Sequence, residues 1–148
     1  MPECRRQEQS PMTEPFISSY KVTIGDINYG GHLGNDKALV IFQDARLYFL
    51  KALELSEMDI GEGCGIIMVE SGVRYHREVF LHDELMVAVA VSEVRGKKFT
   101  LSYTVTRKSD DAEVLSGTTS FLSFNYQKRK VAKLPALFQQ QLETFLIE

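Results

Sequence analysis

A chain of 148 residues with 44% hydrophobic content can bury one sizeable core, so the composition predicts a single domain. Its 17 lysines and arginines against 20 aspartates and glutamates leave a net charge near -3, which argues against nucleic acid or an acidic membrane as the main partner. Two cysteines, Cys4 and Cys64, form neither a disulfide framework nor a metal-ligand spacing. No stretch resembles a secretory signal or a membrane span, so we expect a soluble protein of the reducing cytoplasm.

The N-terminal segment 1–15 is rich in Gln, Glu, Arg and Pro and cannot bury a face. We expect it to be a disordered tail, with one folded domain over residues 16–148. Alternation around Tyr20, Val22 and Ile24 predicts a strand over 16–24. The polar segment GDINYGGHLGND, residues 25–36, follows this strand.

The segment from Lys37 to Leu55 has no Gly or Pro and consists of good helix formers, so it predicts a long helix. Apolar residues occur on nearly all of its faces, and a helix of that kind must be covered on several sides.

Four strand-like segments remain to cover it: 65–75, 84–94, 98–108 and 114–126. The turns VRGKKF and KSDDAE separate three of them, which favours an antiparallel meander. Residues from Leu134 onward predict a short C-terminal helix that begins near Pro135. These elements indicate an α+β domain in which a curved antiparallel sheet wraps one long helix, the plan of the hotdog fold.

The polar segment before the helix contains more functional groups than a turn requires. Its glycines turn the chain, and Asn35 or Asp36 can cap the helix. Asn28 and His32 are additional, and they are expected beside the unpaired N–H groups of the helix start. Helix N–H groups can stabilise an oxyanion, and the side chains beside them can align water and shuttle protons. The combination indicates a site for attack on a thioester or ester carbonyl.

GDINYGGHLGND and the following IFQDARLYFLKAL resemble the D-x-D-x-x-G-H-x-x-N and E-x-A-R segments of acyl-CoA thioesterases in the 4-hydroxybenzoyl-CoA thioesterase-like hotdog family. The stretch VESGVRYHREVFLHDELMVAVAVSEVRGKKFTLSYTV resembles two later strands of that family. The resemblance covers about residues 20–134. It implies an enzyme that hydrolyses an acyl-CoA without a separate cofactor, since CoA is part of the substrate.

The resemblance also assigns roles to single residues. The catalytic aspartate of the family falls on Asn28, and an amide cannot act as a base. His32 matches the family histidine, and the helix-start amide near Asn35 would donate to the oxyanion. The missing carboxylate would then come from Asp26, Asp36 or Asp44, and Asp44 resembles the helix-borne acid of other hotdog thioesterases. A surface ion pair of Asp44 with Lys37 or Lys51 is the alternative.

Two basic clusters suit the phosphates of CoA, and the family holds its nucleotide with the equivalent turn and tail. They comprise Arg95, Lys97 and Lys98 in one turn, and Lys128, Arg129 and Lys130 after the last long strand. The alternative is that these side chains only maintain solubility. His76 and His82 are interpreted as edge residues, and no spacing of His, Cys or acidic residues predicts a metal site.

Two other functions stay open on the sequence alone. A hotdog enoyl-CoA hydratase shares the start of its G-D-x-N-P-x-H segment with residues 25–28, although Tyr29 replaces the proline. A non-catalytic acyl-CoA-binding module would explain the amide at position 28. For any of the three we expect a homodimer or homotetramer, because a curved sheet with a free edge usually pairs with another copy.

Overall fold

The computed structural model describes residues 14–147, so Cys4 and most of the predicted tail lie outside the described residues. Within that range the chain forms six strands and two helices. Their bounds are β1 Phe16–Lys21, α1 Ala38–Ala52, β2 Cys64–Tyr75, β3 Glu84–Arg95, β4 Lys98–Arg107, β5 Glu113–Asn125, β6 Lys130–Val131 and α2 Ala136–Glu143.

The predicted α+β plan is confirmed, and β1 shows the clearest difference from its expected bounds. This strand ends at Lys21 rather than Ile24, because Asp26 folds back onto the chain. The Asp26 carboxylate accepts hydrogen bonds from the N–H of Thr23 at 2.9 Å and from its hydroxyl at 3.2 Å. A 3-10 turn over Ile24–Asp26 therefore replaces the last part of the expected strand.

The strands form one antiparallel sheet in the order β1-β3-β4-β5-β2, with β6 paired to the end of β5. Consecutive strands β3, β4 and β5 are neighbours, as predicted for a meander of the four long strands. The prediction is wrong for β2, which lies beyond β5 rather than next to β3. The helix α1 connects β1 to β2, the two outermost strands of this order. Among residues 14–147, β2 pairs only with β5, which leaves its other edge without a strand partner.

One face of α1 packs against the inner face of the sheet. The Phe42 ring stacks on Tyr103 of β4 with centroids 4.4 Å apart. The helix can approach this closely because Gly117 lies opposite, where an added Cβ would be 2.6 Å from the Phe42 ring. The buried residues of the helix are Ala38, Ile41, Phe42, Ala45, Arg46, Phe49 and Leu50.

The opposite face of α1 is exposed to solvent. The prediction that the helix is covered on several sides is therefore not fulfilled within one chain. Leu39, Val40, Leu47 and Tyr48 are between 39% and 52% exposed. The sheet is one layer and covers one side of a helix only. This leaves an apolar surface on α1, and Met68 and Val69 of β2 are exposed as well.

The C-terminal part extends the sheet at its other edge. After α2, residues Phe145 to Ile147 run beside β3, where the N–H of Val91 donates to the Phe145 carbonyl oxygen at 2.9 Å. β1 pairs with β3 only as far as Val89, so the two segments cover successive parts of that strand. No helix within residues 14–147 has both the length and the apolar character needed to cross a bilayer.

Candidate active site

Asn28 organises the polar loop between β1 and α1. Its Oδ1 accepts hydrogen bonds from the N–H groups of Gly30 at 2.9 Å and His32 at 3.4 Å. Its own N–H donates to the His32 carbonyl oxygen at 2.9 Å. The turn needs glycine at Gly31, whose φ is +88°. Because Oδ1 is occupied, the group that Asn28 can offer a ligand is its Nδ2 amino group, which only donates.

His32 lies next to Asn28 in this loop. A Cβ built on Gly30 would be 3.2 Å from Asn28 Oδ1 and 3.5 Å from His32 Nε2, so both side chains border one small volume. His32 Nδ1 lies 3.3 Å from the Leu33 carbonyl oxygen, an arrangement that favours a hydrogen on Nδ1. The other ring nitrogen, Nε2, is 4.0 Å from Oε2 of Glu78.

A cavity of about 230 Å³ opens between this loop and the segment that follows β2. Tyr75 closes one side, since its hydroxyl donates to the Asn35 carbonyl oxygen at 2.7 Å. The cavity combines an apolar floor with several converging polar groups, as small-molecule sites do. Its lining consists of His32, Leu33, Asn35, Tyr75, His76, Arg77, Glu78, Val79 and Leu115.

The helix start reaches this cavity through Asn35. This residue opens the 3-10 turn Asn35–Lys37, which leads directly into α1. The first N–H groups of a helix have no partner within the helix, and they form the positive end of its dipole. Asn35 and His32 therefore line the same cavity.

Asp26 serves the loop rather than the cavity. It is only 7% exposed, and the Tyr20 hydroxyl donates to its two carboxylate oxygens at 3.0 and 2.9 Å. Burial, followed by this hydrogen bond and the Asp26 charge, raises the pKa of Tyr20 to about 12. Asp26 thus holds the end of β1 against the loop that contains Asn28 and His32.

Asp44 is half-buried on α1, and burial raises the pKa of its carboxyl group. Its charge contributes to the raised pKa of Tyr20, so Asp44 lies near the pair formed by Tyr20 and Asp26. The alternative surface pair with Lys37 or Lys51 is not formed among residues 14–147. Asp26, Asp36 and Asp44 are all absent from the cavity lining.

The two basic clusters lie together at one end of the sheet. The Lys97 carbonyl oxygen accepts from Ser123, and the Gly96 carbonyl oxygen accepts from Leu134, so the β3–β4 turn touches the chain on both sides of the second cluster. Within the first cluster, Arg95 pairs with Glu93 at 3.1 Å and Lys98 approaches it at 3.7 Å. The second cluster, Lys128, Arg129 and Lys130, forms an exposed turn.

The sequence interpretation missed the segment from His76 to Asp83, of which the first four residues line the cavity. Arg107 of β4 holds this segment, since Nη1 donates to the Glu78 carbonyl oxygen at 2.9 Å and lies 3.4 Å from Asp83. Asp110 accepts from the other side of the guanidinium at 3.1 and 3.2 Å. The run His76-Arg77-Glu78 between two strands was the available signal, because three ionisable residues in one short connection are more than a turn needs.

The architecture is that of a hotdog fold, one antiparallel sheet curled around a helix that joins its two edges. The chain belongs to the thioesterase-like superfamily, whose sequence model matches residues 22–142. This match confirms the predicted family and the predicted enzyme class, thioesterase. No curated protein matches the chain.

Solved structures support the fold at low sequence identity. A 1,4-dihydroxy-2-naphthoyl-CoA thioesterase from Synechocystis is 19% identical, with TM-score 0.78 over 86% of this chain and 94% of that one. A Staphylococcus aureus protein solved in complex with CoA is 19% identical, with TM-score 0.83 over 93% and 87% of the two chains. A gentisyl-CoA thioesterase is 17% identical, with TM-score 0.76 over 86% and 99%.

Proposed function

We propose that the protein hydrolyses an acyl-CoA to a carboxylic acid and free CoA, without a metal ion. The observation that carries the proposal is the cavity at the start of α1, which is lined by both His32 and Asn35, the first residue of the turn that leads into the helix. A thioester carbonyl placed there would have an oxyanion donor and a proton-transfer group beside it. Among residues 14–147, no three His, Cys, Asp or Glu side chains cluster as metal ligands do.

The basic clusters would hold the phosphates of CoA, but within one chain they lie far from the cavity. Cys64 pairs with Asn125 at the basic end of the sheet, and Tyr75 pairs with Leu115 at the cavity end. At ~3.3 Å per residue, Leu115 and Asn125 are about 33 Å apart along β5. That distance exceeds the reach of the pantetheine arm, so one chain alone would not bind both ends of the substrate.

A homodimer joined along β2 would bring the two ends together. At Cys64 and Ile66 the outer edge of β2 is hydrogen-bonded to residues 57–61, so the part of the strand beyond Ile66 is available for pairing. Antiparallel pairing of these parts of two β2 edges about a two-fold axis turns the cavity end of one chain toward the basic end of its partner. β2 carries exposed Met68 and Val69, and Leu39 and Leu47 of α1 are exposed as well, so apolar surface is available for such an interface. Two such dimers could associate further into a homotetramer.

The proposal also concerns the chemical class of the acyl group. The Synechocystis structure and the gentisyl-CoA thioesterase are named for aromatic acyl-CoA substrates, and the cavity here is lined by Tyr75, His76 and Arg77, which can hydrogen-bond a hydroxylated ring. We therefore propose a hydroxyaromatic acyl-CoA rather than a long-chain one.

Thiol release tests this function directly. Purified protein is given a hydroxybenzoyl-CoA, a palmitoyl-CoA and an enoyl-CoA with a chelator present, and free thiol and hydrated product are measured. We expect thiol release, fastest with the hydroxybenzoyl ester. Hydration of the enoyl ester without thiol release would indicate a hydratase, and binding of all three without turnover would indicate an acyl-CoA-binding module.

A further inference from the structure

The proposed reaction requires a base that the expected position does not supply. Hydrolysis by general-base catalysis needs a group that takes a proton from the attacking water. Asn28 is an amide whose oxygen already accepts two backbone hydrogen bonds. Asp26 is buried under Tyr20 and Thr23, and neither Asp36 nor Asp44 lines the cavity.

We propose that Glu78 is the catalytic carboxylate and that it activates water together with His32. Glu78 lies on the segment after β2 and lines the same cavity as His32. The 4.0 Å between its Oε2 and His32 Nε2 is too long for a direct hydrogen bond, and it leaves room for one water that touches both atoms. This inference rests on the proposed hydrolase function and names the base of that same site.

Glu78 differs from the other acidic residues near the cavity because its carboxylate is not engaged in a short ion pair. Within residues 14–147 it makes no hydrogen bond or ion pair other than its approach to His32. By contrast, Glu113 lies 3.5 Å from Nε2 of His76, and Asp83 lies 3.4 Å from Arg107. The Glu78 side chain is 67% exposed, so water can reach its carboxylate.

The backbone that carries Glu78 is fixed, although its side chain is free. Arg107 binds the Glu78 carbonyl oxygen at 2.9 Å, and the N–H of Leu33 donates to the Val79 carbonyl oxygen at 2.8 Å. Val79 itself is 2% exposed. The second contact joins this segment directly to the loop that contains His32. The backbone positions of Glu78 and His32 are therefore fixed relative to each other.

The proton balance of the step is simple. The water oxygen forms a bond to the thioester carbonyl carbon while Glu78 takes one water proton, and the helix-start N–H groups stabilise the oxyanion. The tetrahedral intermediate then collapses, and the C–S bond breaks with its electron pair on sulfur. Glu78 returns the proton to the thiolate, and the carboxylic acid product loses its own proton to solvent.

The test compares kcat for thiol release in wild type, Glu78→Gln, Glu78→Ala and Asp44→Asn on the hydroxybenzoyl-CoA. Glu113→Gln is the matched control, since it removes a carboxylate beside a cavity histidine other than His32. We expect Glu78→Gln to lower kcat by about 10²-fold or more, with KM nearly unchanged. Added formate should partly restore turnover in Glu78→Ala, where the removed side chain leaves space for a small carboxylate, but not in Glu78→Gln.

Each outcome either supports or excludes Glu78 as the catalytic base. Full turnover in Glu78→Gln, or a loss in Glu113→Gln of the same size, would overturn the role of Glu78 while leaving the hydrolase function intact. Loss of turnover in Asp44→Asn with full turnover in Glu78→Gln would assign the base to the helix instead. A folded wild-type protein that binds the acyl-CoA and releases no thiol would overturn the hydrolase function, and the base with it.

Discussion

Position 28 shows how one side chain can keep its structural task after the chemistry at that position has changed. Asn28 Oδ1 closes the loop through two backbone N–H groups, and either an amide or a carboxylate oxygen can accept them. Asn and Asp differ only in the other terminal atom of the side chain, which is Nδ2 in Asn and Oδ2 in Asp. The atom common to both, Oδ1, is the one that lies close to Gly30 and His32.

Asn28→Ala removes the acceptor of both loop hydrogen bonds, so we expect slower turnover. A loss of about 1 to 3 kcal/mol corresponds to roughly 5- to 150-fold in kcat. Asn28→Asp keeps the acceptor and adds a carboxylate near the positive end of α1, which favours its charged form. We expect that variant to be folded and at least as active as wild type. Steady-state thiol release by the three proteins measures both effects, and a folded but inactive Asn28→Asp would show that the Nδ2 donor is essential.

Tyr20 makes stability depend on pH in the alkaline range. Its folded-state pKa is raised from 10.0 to about 12, first by burial and then by Asp26. A raised pKa contributes stability that is fully present below pH 10 and is lost as the pH rises through 12. We expect the free energy of unfolding to fall more steeply between pH 10 and 12 in wild type than in Tyr20→Phe. Urea unfolding at several pH values tests this, and equal slopes would contradict the buried phenol.

At the scale of elements, Arg46 joins α1 to three other parts of the chain. Its Nε donates to Glu57 at 2.7 Å, and Nη1 donates to the Tyr103 hydroxyl at 3.1 Å. The guanidinium also lies over the Phe121 ring, 4.9 Å from its centroid. Arg46 is 4% exposed, so a single cation fixes the helix, the loop after it and two strands.

Arg46→Ala should therefore be strongly destabilising. Removing one member of a buried, hydrogen-bonded ion pair typically costs about 3 to 5 kcal/mol. The control is Lys108→Ala, which removes the 3.7 Å pair with Glu84 between two exposed side chains and should cost less than about 1 kcal/mol. Chemical denaturation of the two variants gives the comparison, and similar losses would show that the Arg46 contacts contribute little.

The elements were largely predictable from the sequence because they depend on local patterns. The two-residue turn at Gly96 and Lys97 and the alternation of β3 and β4 specify a hairpin without knowledge of the rest of the chain. The roles of single acids were not predictable in this way. Whether Asp26 is buried or Glu78 faces His32 depends on contacts between segments far apart in the sequence, which no local period encodes.

At the scale of the molecule, the proposed dimer makes each site depend on both chains. Lys97→Glu combined with Lys128→Glu should raise KM more than it lowers kcat, since those side chains would bind the phosphates. His32→Ala should abolish turnover. If each cavity uses the partner's basic clusters, mixing the His32→Ala protein with the double lysine variant, assayed at a substrate concentration far below the raised KM, forms one intact site per mixed dimer. Random reassociation should then restore about a quarter of wild-type turnover. No recovery after verified subunit exchange would place both groups in one chain.

The connection of β1 to β2 through α1 also affects how the domain opens. The hairpins of β3, β4 and β5 join strands that are close in sequence, whereas the helix and its polar loop are held by strands at the two opposite edges of the sheet. Amide groups at sheet edges exchange with solvent through smaller openings than those at the centre. Under mild destabilisation, hydrogen exchange should therefore reach β1 and the loop at Asn28 before β4, whereas β2 would be protected at the proposed dimer interface. Thioester hydrolysis would then be lost while most of the sheet is still protected.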